Sequence, residues 1–134
     1  MNIKMQKLLP ITAAAMLFAT MATGAVADEV VKIGHVASLT GQIAHLGKDN
    51  ENGARLAVEE INKKGLVIGG QKVTLQLDAQ DDAADPRTAT QVAQKLVDDK
   101  VVAVVGHLNS GTSIPASKIY SDAGIVQISP SATN

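Results

Sequence analysis

Residues 101–134, VVAVVGHLNSGTSIPASKIYSDAGIVQISPSATN, decide how this chain folds. The run VVAVVG is rich in β-branched residues and ends at Gly106, which is typical of a buried parallel strand. The next segment begins at the capping-type residue Ser110 and stops at Gly124, so it predicts a helix. IVQIS then predicts a second strand and SPSATN a second loop. The stretch therefore predicts a strand, loop, helix, strand and loop in succession.

Both predicted loops, residues 107–110 and 130–134, leave the carboxyl ends of neighbouring parallel strands. In an open α/β sheet this is the edge at which ligands bind. Ser110 is placed at a helix N-terminus, where free backbone N–H groups and the helix dipole favour an anion. Thr133 offers a second hydroxyl from the other loop. The pattern therefore favours a site for a small carboxylate ligand.

The earlier part of the chain shows the same alternation of strand and helix patterns. Residues 30–37 and 72–79 predict strands, separated by a loop over residues 38–47 and a helix over residues 48–64. This helix carries an apolar stripe at i, i+3, i+4 and i+7, which we expect to be ordinary core: Ala54, Ala57, Val58 and Ile61.

A second helix is predicted to begin at the segment DDAADP. Asp85 supplies an N-cap carboxylate, and Pro86 suits the first helical position. The apolar face of this helix is formed by Ala89, Val92, Ala93, Leu96 and Val97. The whole order is then β-α-β-α-β-α-β. It predicts an α/β fold in which helices cover both faces of a parallel sheet, with right-handed crossovers.

The first 27 residues have the pattern of a cleaved export signal. Lys4 and Lys7 give a basic start, residues 8–22 are apolar, and Ala25-Val26-Ala27 is a small-x-small cleavage site. We therefore expect cleavage after Ala27 and a soluble, exported product. Because no cysteine follows the site, we expect no lipid anchor.

Composition excludes several classes of function. The chain has no cysteine, so its stability must come from an aliphatic core rather than from disulfides. After residue 27 the one aromatic residue is Tyr120, and 10 basic residues stand against 13 acidic ones once Lys4 and Lys7 are removed. With no basic stripe and no aromatic platform for bases, the sequence argues against nucleic-acid binding.

Several segments match catalytic or metal motifs only in part. GHLNSG lacks the G-x-S-x-G elbow of hydrolases, and GQIAHLGKD has five residues between its glycines where a phosphate loop has four. His35, His45 and His107 lack paired metal-ligand spacing, and the acidic group around DDAADP lacks the order of a calcium loop. We therefore predict no catalytic residue, metal or cofactor. The histidines are expected to make local hydrogen bonds, and the acidic group to form a solvated turn with a helix cap.

Four separated motifs carry a resemblance to a known family: VKIGHVASLTGQIAHLGKDNENGARLAVEEIN, DDAADP, GHLNSGTSIPAS and ISPSATN. In this order and spacing they resemble the N-terminal lobe of the periplasmic leucine/isoleucine/valine-binding proteins, the type I solute receptors of ABC transporters. The resemblance implies a Rossmann-like lobe over residues 28–134. It also implies that the sequence is partial, because the family has a second lobe that completes the site.

The resemblance also implies which residues hold the ligand. The serine of the GHLxS loop and the threonine of the SPxAT loop hold the α-carboxylate in this family, and they correspond to Ser110 and Thr133. The backbone carbonyl of Ser131 is expected to accept from the α-ammonium. The remaining expected contacts are Leu108, Asn109, Ala132 and Leu46, the last at a position that is often aromatic.

One departure from the family concerns how the loops are held. Reference members join the DDACDP turn to the GHLC loop by a disulfide, whereas this sequence has Ala84 and Asn109 at those positions. We therefore expect the loop to be held by packing alone.

By this resemblance we expect the substrate-binding component of a branched-chain amino acid ABC importer, located in the periplasm. It is expected to capture leucine, isoleucine, valine or a similar small amino acid without catalysis, as a monomer that meets a membrane permease. The alternatives are a ligand-sensing regulatory protein on the same scaffold, binding an amino acid or amide, and an enzyme of general α/β type.

Overall fold

The computed structural model describes residues 28–133. The predicted export signal, residues 1–27, lies outside them, so its cleavage stays a prediction. Within the described residues, no helix combines the length and the apolar character needed to cross a membrane.

The described residues contain strands and helices in alternation. In chain order they are β1 (Glu29–Ala37), α1 (Ala44–Lys64), β2 (Leu66–Ile68), β3 (Gln71–Asp81), α2 (Pro86–Asp98), β4 (Ala103–Gly106), α3 (Ser110–Asp122) and β5 (Val126–Ile128). The strands form one sheet in the order β2-β3-β1-β4-β5. All neighbours are parallel except β2, which pairs antiparallel with β3. With α1 on one face and α2 and α3 on the other, the predicted fold class is confirmed.

Helix α1 begins four residues before the predicted start, at Ala44. Its N-cap, Ile43, makes no side-chain capping hydrogen bond, so the sequence has no start signal at this point. Gly47 makes the early start compatible with the fold. A Cβ there would lie 2.0 Å from the carbonyl oxygen of Ser38, so only glycine lets this turn pack against the loop after β1.

Strand β2 is absent from the predicted order. Its three residues pair with β3 across the turn at Gly69-Gly70, where both glycines have positive φ, 59° and 84°. Two-residue hairpin turns of this kind require positive φ at both positions, which glycine supplies. Because β2 is too short to show a period, the glycine pair was the one signal available for it.

The first residues of α2 agree with the sequence prediction, whereas those of α3 differ from it. Asp85 caps α2 as predicted, accepting hydrogen bonds from the Thr88 N–H at 2.7 Å and from the Thr88 hydroxyl at 3.0 Å. The expectation that Ser110 caps α3 is wrong. Asn109 is the N-cap, with extended backbone, and Ser110 is the first helical residue. The Ser110 hydroxyl is therefore not used as a cap.

The tightly packed core lies between the sheet and helices α2 and α3. It is aliphatic apart from Tyr120, as predicted, and its buried members are Val36, Ala93, Leu96, Val101, Val104, Ala116 and Tyr120. The other face is different, because an apolar cavity of about 690 Å³ separates α1 from the sheet. The expectation that the α1 stripe is ordinary core is wrong: Gly47 is the one buried residue of α1, and Ile61 is 38% exposed.

Candidate functional site

The loops that follow β4 and β5 meet at the carboxyl edge of the sheet, where a second pocket of about 440 Å³ opens. Six of the residues predicted from the sequence line it: Leu46, Leu108, Asn109, Ser110, Ser131 and Thr133. Ile43 and Asn50 complete the lining, and neither was predicted. Ala132 does not line the pocket; its backbone N–H instead donates to the Ser129 hydroxyl at 2.9 Å.

Ser110 and Thr133 are brought together by a contact between their loops. The Thr133 N–H donates to Ser110 Oγ at 3.3 Å. Ser110 lies in the first turn of α3, where backbone N–H groups have no partner within the helix and the dipole favours negative charge. The structure therefore places two hydroxyl residues and a helix N-terminus at one side of the pocket.

The pocket is also lined by three apolar side chains, besides the amide of Asn50 on α1. Ile43 and Leu46 approach it from the start of α1, and Leu108 approaches it from the loop after β4. Leu46 was predicted to lie in the first loop, but it belongs to α1 because that helix begins early, and it is 48% exposed. The pocket therefore combines hydroxyl, amide and aliphatic side chains.

The two site loops are joined through backbone carbonyls that the sequence did not single out. The His107 carbonyl accepts the Ser113 hydroxyl at 3.1 Å and the Ser129 hydroxyl at 2.7 Å. The Leu108 carbonyl accepts the hydroxyl of Ser131. Serine hydroxyls thus tie the loop after β5 to the loop after β4. The serines of SPSATN were the sequence signal for these hydrogen bonds, but the sequence did not show which groups they would contact.

A buried polar cluster lies beneath these loops, formed by Ser38, Asp82, His107 and Tyr120. His107 Nδ1 lies 2.8 Å from Asp82 Oδ2, and His107 Nε2 lies 3.2 Å from the Tyr120 hydroxyl. The Ser38 hydroxyl donates to Asp82 Oδ1 at 3.0 Å. All four side chains are fully buried. The expectation of a loop held by packing alone is therefore wrong, because hydrogen bonds join the Asp82 turn to His107.

The expectation of a solvated acidic turn is also wrong for Asp82. Burial by itself raises the pKa of Asp82, but hydrogen bonds from His107, the Ala84 N–H and Ser38 outweigh burial and hold that pKa below its ordinary value of 3.8. Asp82 is therefore an ionised carboxylate inside the protein. The sequence could not show this, because its main partner lies 25 positions away.

Asp81, next to Asp82, organises the first loop from the protein surface. Its carboxylate accepts the Leu39 N–H at 2.8 Å, the Thr40 hydroxyl at 2.6 Å and the Ala83 N–H at 2.8 Å. Partial burial raises the pKa of Asp81, but these hydrogen bonds outweigh it and lower that pKa. The two adjacent aspartates therefore hold the turn after β3 against the loop after β1.

His35 differs from His107, although both are fully buried. Among the described residues neither ring nitrogen of His35 makes a hydrogen bond of ordinary length and angle, and the Val105 backbone acts on the ring only through a weaker contact. Burial lowers the pKa of His35 below its ordinary value of 6.5. Over residues 28–133, no group of three or more His, Cys, Asp or Glu side chains is arranged to hold a metal ion.

Comparison with known proteins identifies the family. The family model described as "Periplasmic binding protein" matches residues 30–134. The leucine-specific-binding protein of Salmonella typhimurium is 45% identical over 111 residues, which cover 83% of this chain and 29% of the relative. The Leu/Ile/Val-binding protein of Escherichia coli K12 is 41% identical over 133 residues, which cover 99% and 34%.

A solved structure agrees with these relatives. LivJ of Streptococcus pneumoniae, a branched-chain amino acid transporter substrate-binding protein determined in complex with isoleucine, superposes with a TM-score of 0.72 at 36% identity. The match covers 79% of this chain and 30% of LivJ, so the chain spans about a third of the length of the proteins it matches. The motifs, the sheet order and these similarities together show that the chain belongs to the periplasmic binding protein family of ABC-transporter solute receptors.

Proposed function

We propose that this chain supplies one lobe of an amino-acid site in the substrate-binding component of a branched-chain amino acid ABC importer. The observation that carries the proposal is the contact between Ser110 and Thr133 at a pocket that is also lined by aliphatic side chains. Leucine, isoleucine and valine suit such a pocket, because each has charged groups on its α-carbon and an aliphatic side chain.

The proposed roles follow the geometry of the pocket. Ser110 and Thr133 donate their hydroxyl protons to the ligand carboxylate, beside the N-terminus of α3. The Ser131 carbonyl accepts from the α-ammonium, and the hydrogen bond from the Ser131 hydroxyl to the Leu108 carbonyl holds this residue in the loop. Leu46, Leu108 and Ile43 contact the aliphatic side chain. Nothing in this scheme forms or breaks a covalent bond.

Energetic considerations support a site shared with a second lobe. A hydrogen bond to a charged group contributes about 1.5–3 kcal/mol, so two hydroxyls supply roughly 3–6 kcal/mol before ordering costs. A micromolar complex needs about 8 kcal/mol. The missing part, and the acidic partner for the ammonium, are proposed to come from a second lobe that closes over the ligand. We accordingly propose residues 28–134 as an N-terminal lobe.

The same proposal gives the location and partner of the protein. An export signal over residues 1–27 would deliver it to the periplasm, where a membrane permease receives the loaded, monomeric receptor. N-terminal sequencing of the exported protein should begin at Asp28. A start within residues 1–22 would contradict the proposed cleavage.

Two substitutions test the site. We expect Ser110→Ala and Thr133→Val each to weaken leucine binding by about 1–3 kcal/mol, because each removes a donor to the carboxylate. Calorimetric titration of the natural protein with leucine measures the change in affinity. Ser117→Ala is the matched control, because Ser117 is on the same helix, is exposed, and donates to the Ile114 carbonyl away from the pocket. Unchanged affinity in both site variants would contradict the proposal.

A further inference from the structure

The buried cluster around His107 is absent from the pocket lining, yet it lies directly under the residues that line the pocket. Its members come from the ends of three neighbouring strands: Ser38 follows β1, Asp82 follows β3, and His107 follows β4. Tyr120 joins them from α3. The cluster therefore connects most of the carboxyl edge on which the proposed site stands.

Hydrogen bonding fixes the His107 ring at both nitrogens. The ionised Asp82 carboxylate can only accept, so Nδ1 must carry the proton that it shares with Asp82. Burial, and then the Asp82 charge, raise the pKa of Tyr120 above its ordinary value of 10.0, so its hydroxyl stays protonated and lies 3.2 Å from Nε2. Rotation of the ring would leave buried polar atoms without partners, which is costly.

The backbone carbonyl of His107 connects the buried cluster to the loops of the proposed site. Its carbonyl accepts Ser129 Oγ, and Ser129 Oγ in turn accepts the Ala132 N–H, one residue before Thr133. The same carbonyl accepts Ser113 of α3, three residues after Ser110. The segments that carry Ser110 and Thr133 are thus both hydrogen-bonded to the same His107 carbonyl group, one through Ser113 and the other through Ser129.

The chain has little freedom to adjust at this point. A Cβ at Gly106 would lie 2.3 Å from the Val36 carbonyl oxygen, and Gly106 has φ of +143°. The end of β4 is therefore pressed against β1, and the next residue along the chain is His107. The end of β4 and the His107 ring are therefore both held in place at the point where the following loop leaves the sheet.

We propose that His107 is a positioning residue for ligand binding: its ring, clamped between Asp82 and Tyr120, sets the separation of Ser110 and Thr133. This inference rests on the proposed function for its ligand. Its structural part concerns loop geometry alone and is measurable without ligand.

The test compares three variants of the natural protein. His107→Asn keeps a donor near Asp82 but does not reach Tyr120, and Tyr120→Phe removes only the hydroxyl. Leu96→Ala is the control for general loss of stability, because Leu96 is fully buried in the core and does not line the pocket. Leucine affinity is measured by calorimetry. Loop geometry is followed by hydrogen–deuterium exchange of the Ala132 amide, which is protected by its bond to Ser129.

We expect His107→Asn to raise the leucine Kd by roughly tenfold or more, and Tyr120→Phe by roughly threefold, since each leaves buried polar groups unpaired next to the loops. Ala132 exchange should become faster in both. Leu96→Ala should change Kd by no more than about twofold, because it lowers the folded population without altering the loops. Adding His107→Asn to Ser110→Ala should raise Kd by less than the product of the two single effects, because both changes act on the contact of Ser110 with the carboxylate.

The contrary results are distinct. Unchanged Kd and unchanged Ala132 exchange in His107→Asn and Tyr120→Phe would overturn the inference, as would an equal rise in Kd in Leu96→Ala. If His107→Asn does not fold, Tyr120→Phe decides alone. If the unmodified protein does not bind leucine, the proposed function fails, and Ala132 exchange still decides whether His107 holds the loop.

Discussion

The two faces of the sheet are covered to very different extents. On the face that carries α2 and α3, Val36, Leu96 and Tyr120 are fully buried. On the other face, α1 stands over an apolar cavity of about 690 Å³. Helices α1 and α2 both have an apolar stripe, and each stripe contains two alanines beside larger aliphatic residues, so the sequence pattern alone does not distinguish the two faces. The comparison teaches that an amphipathic pattern predicts which way a helix faces, and not how tightly it packs.

The difference in packing between the two faces should have its largest effect on the free energy of unfolding when a side chain is shortened. We expect Leu96→Ala to lower the free energy of unfolding by about 2–5 kcal/mol, because it leaves a cavity in a packed core. Ile61→Ala is the matched variant on α1, and it should cost about 1 kcal/mol or less, because Ile61 is 38% exposed beside an existing cavity. Urea unfolding measures both. Equal costs would show that the two faces are packed alike.

The glycines of α1 separate its packed start from its open middle. Gly47→Ala should lower the free energy of unfolding by about 1–3 kcal/mol, because the new Cβ would lie 2.0 Å from the Ser38 carbonyl oxygen and the backbone would have to move. Thermal unfolding at fixed pH measures the loss. A variant as stable as the parent would mean that α1 does not pack against the first loop.

Gly53→Ala should have the opposite sign. No atom lies within 4 Å of a Cβ at Gly53, so the substitution should raise the free energy of unfolding by about 0.5–1 kcal/mol through helix propensity. The same thermal unfolding experiment compares it with Gly47→Ala. A loss of stability would indicate that the middle of α1 is closer to the sheet than the structure shows.

The two buried histidines extend the comparison to pH. His35 shares the α1 side of β1 with Ile33. Its pKa is influenced there by the Val105 backbone, by Glu51 and Arg55 of α1, and by His107. Because burial lowers the pKa of folded His35, the unfolded chain binds more protons below the ordinary value of 6.5. Protonation of His35 therefore does not affect the free energy of unfolding at pH 7 and above. The free energy of unfolding decreases as the pH falls below about 6.5.

His35→Gln should flatten this loss between about pH 6.5 and 5, whereas His45→Gln, at an exposed position, should leave it unchanged. The measurement is the free energy of unfolding at several pH values. Asp81 and Asp82, whose pKa values are lowered, act in a separate window below their ordinary value of 3.8. An identical pH dependence in His35→Gln and the parent would exclude His35 as its source.

The sequence predicted those parts of the fold whose signals are local. The β-branched run before Gly106 and the Asp85-Pro86 start of α2 each combine a period or a cap with a chain position, and both were found. The start of α1 was missed because it depends on Gly47 meeting Ser38, a contact between segments. β2 was missed because three residues show no period.

The candidate site followed the same rule. Its lining residues lie in two loops whose strand order could be predicted, so most of them could be named from the sequence. Their roles toward a ligand stay predictions. The buried state of Asp82 could not be predicted, because aspartate in a DDAADP turn is ordinarily solvated and its partner His107 is brought near only by the parallel pairing of β1 with β3 and β4.

The proton between His107 Nδ1 and Asp82 has a spectroscopic consequence. A ring N–H that donates to an ionised carboxylate is strongly deshielded, and full burial protects it from exchange with water. We therefore expect it to appear as a single line far downfield of the amide region in a one-dimensional proton spectrum. That line would report the state of the carboxyl edge of the sheet in unlabelled protein, and its broadening on warming would mark the temperature at which the loops begin to open.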